Sequence, residues 1–158
     1  MHRDLKSDNV LLRTNGEVKI ADLGFSVFLT QEDEMRIERK GTPSWIAPEI
    51  VKGHRYGKEV DIWAFGCFAF ELLARDPPFH AYYDEQDLNP LFHAIIEQPV
   101  PRVPAKWSDK IDDFVQKCLM KDPKQRWTIE QLLAHPLFDN IEQCKAGWIA
   151  DFTRQNQL

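Results

Sequence analysis

Four polar side chains near the start of the chain are of types that could serve one reaction. Asp4, Lys6 and Asn9 lie within MHRDLKSDN, and Asp22 follows in ADLG, thirteen positions after Asn9. Phosphoryl transfer asks little covalent chemistry of a protein. It needs held phosphates, metal ions to neutralise their charge, and a base near the attacking hydroxyl. Carboxylate and amide oxygens are the donors a hard cation such as Mg2+ accepts. Taken singly, each residue has a plainer reading: a lone Asp is ordinarily a solvated turn carboxylate, and a lone Lys a surface cation. His2 reads as a packing residue rather than an acid–base group.

The elements that must position these groups follow from periodicity and punctuation. Asn9–Leu12 and Glu17–Ile20 are short β-type runs around Thr14-Asn15-Gly16, and Asn-Gly between apolar runs predicts a hairpin. From Ala21 to about Ile50 periodicity is lost, and a loop of that length in a compact domain is either functional or disordered. Asp61 to Ala74 is apolar nearly all round. It is too short for a bilayer, which needs about 20 residues, and so predicts a central core helix stopped by Pro77-Pro78. Leu88–Gln98 is a second predicted helix. After a Ser108 cap, Ile111, Phe114, Val115, Cys118 and Leu119 follow helical spacing. Thr128 and Gln131 predict a capping box for Ile129–Ala134. A last helix, capped by Asn140 or Gln143, would carry Ile141, Cys144, Trp148, Ile149 and Phe152 as its apolar stripe.

Composition narrows the class. Hydrophobic residues at 43% and charged ones at 28% suit one globular unit, and the net charge of −5 argues against a nucleic-acid partner. Cys67, Cys118 and Cys144 are the only cysteines. They show neither C-x-x-C nor zinc spacing and predict free thiols in a reducing compartment. With no apolar leader, the expected location is cytoplasmic, with no membrane partner.

Five motifs stand in order along the chain: HRDLKSDN, ADLG, GTPSWIAPE (Gly41–Glu49), Asp61-x-Trp63-x-x-Gly66, and Arg126 in DPKQRWT. The first fits the protein-kinase catalytic loop H-R-D-L-x-x-x-N, and GTPSWIAPE ends as kinase activation segments end, in A-P-E. From His2 to about Phe138 the chain resembles the C-terminal lobe of a eukaryotic serine/threonine protein kinase. Its wording, including DPPF and HPLF, is most similar to the STE group. The resemblance implies a fold that is mainly α with a small β-hairpin. Residues 1–138 would form a partial kinase domain and 139–158 a C-terminal helical tail.

Roles for single residues come from the resemblance. Asp4 would accept the substrate hydroxyl proton, and Lys6 would steady the transferring phosphate of ATP. Asn9 and Asp22 would hold Mg2+, with Leu23 standing where Phe is commonest. Thr42 would hydrogen-bond toward Asp4 and Lys6, and a protein Ser or Thr would be the acceptor. Asp61 would take hydrogen bonds from the catalytic-loop backbone, and Arg126 would pair with Glu49. Many STE-group kinases carry a phosphorylated Ser or Thr three residues before the Gly of GTP. Here that position is Glu38, a fixed charge that could face Arg3 or simply be solvated.

No G-x-G-x-x-G occurs among the seven glycines, and Val18-Lys19-Ile20 lies on the wrong side of the catalytic loop to be the nucleotide-gripping lysine. The expectation is therefore a chain lacking the N-terminal lobe and the helix before the catalytic loop. Part of the Ile62, Trp63, Phe65, Phe68 and Phe70 surface should then lack cover, so that a partner or the missing lobe completes it. Two other readings fit the motifs less well. A catalytically inactive scaffold or substrate competitor would have no chemical reason to keep Asp4, Lys6, Asn9 and Asp22. A small-molecule phosphotransferase would not need GTPSWIAPE with Arg126.

Overall fold

The computed structural model describes residues 1–30 and 34–139. The expected last helix, with Cys144 and the other residues of its stripe, lies outside the described residues. Two short strands, β1 (Val10–Leu12) and β2 (Val18–Ile20), pair antiparallel with Val10 opposite Ile20 and Leu12 opposite Val18. Asn15 and Gly16 make the turn: the Asn15 side chain accepts from the Glu17 N–H, and Gly16 sits at φ 85°, where a side chain would be strained. β1 is one residue shorter than expected because Asn9 belongs to a single-turn 3-10 helix, Ser7–Asn9, and β2 starts at Val18, after the turn residue Glu17. The ladder nevertheless continues by one bond, from the Ala21 N–H to the Asn9 carbonyl at 2.8 Å.

The rest is helical: α1 (Pro48–Val51), α2 (Glu59–Ala74), α3 (Asn89–Glu97), α4 (Asp109–Cys118) and α5 (Ile129–Leu133). α2 is the hub. Val60, Trp63, Gly66, Cys67 and Phe70 recur at helical spacing, and all are buried. α4 crosses at Gly66, where an added Cβ would lie 2.7 Å from the Cys118 Cβ; only glycine permits that approach. α4 contributes Phe114, Val115 and Cys118 to the same core. The capping box at Thr128 and Gln131 is present in both directions, whereas Ser108 occupies its cap position without a side-chain bond.

Two expectations for α2 need correction. α2 is not buried all round: Phe65 and Leu72, seven residues apart on the other face, are 36% and 67% exposed. Of the surface expected to lack cover in part, Trp63 and Phe70 are covered, at 0% and 6% exposed, and Phe65 is the exposed member. The helix also stops before its prolines, at Arg75, whose left-handed backbone (φ 81°) returns its N–H to the Glu71 carbonyl. The aperiodic stretch before Ile50 is more structured than its sequence suggests. It holds the 3-10 turn Pro43–Trp45, the start of α1, and an antiparallel bridge from Arg36 to Tyr56. Among the described residues no helix is long and apolar enough to cross a membrane.

Candidate active site

The loop of residues 2–9 is held from beneath by α2. The Asp61 carboxylate accepts the main-chain N–H of His2 at 2.7 Å and that of Arg3 at 2.8 Å. These bonds hold Arg3 at φ 70°, an uncommon conformation for a residue with a side chain and one that persists only when neighbours over-determine it. The expected packing role of His2 is instead a hydrogen-bonding one. Its Nε2 lies 3.0 Å from the Ala21 carbonyl oxygen, and its Nδ1 accepts the Asp4 N–H at 3.2 Å. A carbonyl only accepts and an amide only donates, so the ring uses its Nε2–H tautomer. His2 thereby ties the loop before Asp22 to the loop that carries Asp4.

Asp4 and Asn9 are both buried, at 8% and 7% exposure. The Thr42 hydroxyl donates to Asp4 Oδ1 at 2.7 Å, and Lys6 Nζ donates to Thr42 Oγ1 at 3.0 Å. Lys6 Nζ is also 3.7 Å from Asp4 Oδ2. A carboxylate, an ammonium and a hydroxyl therefore converge, although Thr42 is 38 positions from Asp4. Gly41 makes that convergence possible. At φ 119° its main chain passes so close that an added Cβ would sit 3.0 Å from the Arg3 carbonyl oxygen. On the other side, Asn9 Nδ2 donates to the Asp4 carbonyl at 2.8 Å, which leaves the amide oxygen of Asn9 as the atom for a cation.

Asp22 reaches this group through the main chain. The bond from the Ala21 N–H to the Asn9 carbonyl puts the residue just before Asp22 opposite Asn9 at the hairpin base. Asp22 adopts φ 61°, and its Oδ1 accepts the Gly24 N–H at 3.1 Å. Two hard oxygen donors, one amide and one exposed carboxylate, suit Mg2+, which ordinarily takes one or two protein carboxylates and completes its shell with water and substrate phosphates. Among the described residues no group of three or more His, Cys, Asp or Glu could form a full metal cage. The donor set fits a cation shared with a phosphate ligand.

The segment carrying Thr42 is anchored to the helical core. Arg126 donates from Nη1 to Glu49 Oε1 at 2.7 Å and from Nη2 to Oε2 at 3.0 Å, a two-pronged pair with side chains 0% and 4% exposed. Arg3 contacts Glu38, Nη1 to Oε2 at 3.5 Å. Two connections carry no sequence signal, because their partners are far apart. Ser7 Oγ donates to Glu71 Oε1 at 2.8 Å, joining the loop of residues 2–9 to the end of α2. Tyr56, wholly buried, donates its hydroxyl to the Glu38 carbonyl at 2.7 Å.

A family model for the protein kinase domain matches residues 1–138. The chain is 42% identical to the Dictyostelium discoideum serine/threonine-protein kinase pakB over 138 residues, covering 86% of this chain and 16% of that protein. It is 43% identical to pakC of the same organism over 141 residues, covering 88% and 29%, and 38% identical to pakA over 164 residues, covering 100% and 13%. The chain thus spans less than a third of the length of these curated relatives. On the extent of the family match, the chain belongs to the protein kinase family.

Proposed function

We propose that this chain supplies the acceptor side of phosphoryl transfer from ATP to serine or threonine hydroxyls of proteins, as the C-terminal lobe of a serine/threonine kinase. One observation carries the reading: Thr42 hydrogen-bonds both Asp4 and Lys6, which stand together in the chain, although it comes from a separate segment 38 and 36 positions away. In this reading the acceptor hydroxyl approaches Asp4, whose carboxylate takes its proton as the oxygen attacks phosphorus. Lys6 places positive charge where the transferring phosphoryl oxygens lie. Thr42 holds both groups in register and lines the path of the peptide. Asn9 and Asp22 would hold Mg2+, which would supply positive charge beside the nucleotide phosphates. The names of the relatives support the serine/threonine preference. The free, buried thiols of Cys67 and Cys118 support a reducing, cytoplasmic setting.

A second reading is favoured by the exposed apolar side chains of the hairpin and its surroundings. Leu11, Val18, Ile20, Leu23 and Phe28 are between 51% and 96% exposed, as an interaction module would require. One experiment separates the two. The native protein carrying residues 1–158 is given Mg2+, γ-labelled ATP and three peptides that differ only in a Ser, Thr or Tyr acceptor. Label on Ser and Thr is the expected result. Label on Tyr alone, or none on any peptide, overturns the serine/threonine reading.

A further inference from the structure

The two residues that lead into Gly41 and Thr42 are cations held by ring faces and a carbonyl. Arg39 lays its guanidinium over the Phe92 ring of α3, 4.6 Å from the centroid, and its Nη2 donates to the Val51 carbonyl at 3.0 Å. Val51 ends α1, where the last helix carbonyls lack donors within the helix. The ring is a firm platform, because Phe92 packs against the core. Lys40 goes to a different element: its Nζ lies 5.3 Å from the centroid of the Phe25 ring, in the loop after Asp22. Gly41 follows at φ 119°, and Thr42 then meets Asp4. The bond from Arg39 to Val51 therefore closes residues 39–51 into a loop that contains Thr42. The far end of that loop is fixed separately, since Glu49 of α1 is bound by Arg126.

From this geometry we infer that Arg39 is a positioning residue for the transfer step: by closing residues 39–51 onto α1 and the Phe92 ring, it fixes the main chain at Gly41 and with it the reach of Thr42 to Asp4. The inference rests on the proposed phosphoryl-transfer reading. A guanidinium suits the task because it is planar: its face can lie on a ring while an N–H in its plane donates to a carbonyl. Lys40, with its ring contact, is the lesser hold. A ring face and a main-chain carbonyl are neutral and do not titrate, so the hold should not change with pH near neutrality. The competing view is that Arg39, an exposed side chain, lies on the nearest surface, and that truncating it changes nothing at Thr42.

The test compares Arg39→Met, Phe92→Leu and the double variant with wild type in the native protein, with Asp4→Asn as reference. Arg39→Met loses the ring contact and the carbonyl bond together. Its turnover at saturating Mg2+, ATP and peptide should fall at least about threefold, with KM for ATP unchanged. Its thermal midpoint should stay close to wild type, because the side chain is exposed. Phe92→Leu removes only the ring, so the double variant should be no slower than Arg39→Met. A smaller fall in Arg39→Met, or losses that multiply in the double variant, overturns the inference, provided Asp4→Asn is impaired. If Asp4→Asn is not impaired, the transfer reading itself has failed. Amide exchange at Gly41 and Thr42 then decides alone: exchange at least about threefold faster in Arg39→Met supports the positioning role, and any smaller change overturns it.

Discussion

Replacing Arg126 with Ala tests how the segment carrying Thr42 is anchored. The guanidinium is fully buried and makes four hydrogen bonds: two to Glu49, one to the Glu59 carbonyl at 2.8 Å and one to the Met120 carbonyl at 3.0 Å. It also lies over the Trp63 ring, 5.3 Å from the centroid. Truncation leaves the Glu49 carboxylate, 4% exposed, without a counter-charge, and two carbonyls lose their donor. Breaking a buried pair from one side costs about 3–5 kcal/mol. At roughly 2–4 °C per kcal/mol for a chain of this size, the midpoint should fall by about 6–20 °C. Arg126→Lys should cost less, because it keeps the charge and loses only the fork. The double variant Arg126→Met, Glu49→Leu removes both charges and should regain much of the loss. Thermal and urea unfolding followed by tryptophan fluorescence reads all four proteins. A loss below about 1 kcal/mol in Arg126→Ala, or a loss in the double variant as large as that in Arg126→Ala, would overturn this reading of the buried pair.

Two other outcomes are expected. Burial pushes the Cys118 thiol up to about 12 and the Cys67 thiol higher still, so neither should react with iodoacetamide at about pH 8 until the chain is unfolded; peptide mapping by mass spectrometry reads the two sites separately. Glu38, held below the ordinary value of 4.5 first by its own main-chain N–H, binds a proton less readily folded than unfolded. Its contribution to stability is therefore fully present above that value and is lost as pH falls through the lowered one. The difference in urea midpoint between wild type and Glu38→Gln should be constant from about pH 7 to 5 and should close in stronger acid.

What was legible in the sequence follows the range over which each signal acts. Asn15-Gly16 marked the hairpin, and the stripe ending at Cys118 marked α4, because turn chemistry and helical period are local. α1 was invisible, since four residues cannot show a period of 3.6. The two faces of α2 could not be told apart because both are apolar: Trp63 and Phe70 are buried and Phe65 and Leu72 exposed only in the packed fold. The same holds at the site. Asp4, Lys6 and Asn9 stand together in the chain, whereas the approach of Thr42 to Asp4 was expected only through the family resemblance. Tyr56 was missed because nothing in a lone tyrosine shows that its hydroxyl meets Glu38, 18 positions away.

The central claim is that Asp4, with Thr42 and Lys6 on either side, takes the proton of an attacking hydroxyl. A single-turnover measurement on the native protein tests it most directly, with Mg2+·ATP and a Ser-containing peptide both saturating, for wild type and Asp4→Asn. Asparagine keeps the shape and can still meet the Thr42 hydroxyl, but it cannot accept a proton as a carboxylate does. The account predicts that both proteins bind nucleotide and peptide equally and that Asp4→Asn transfers phosphate about 10²–10⁴-fold more slowly. Transfer at the wild-type rate by Asp4→Asn would contradict it.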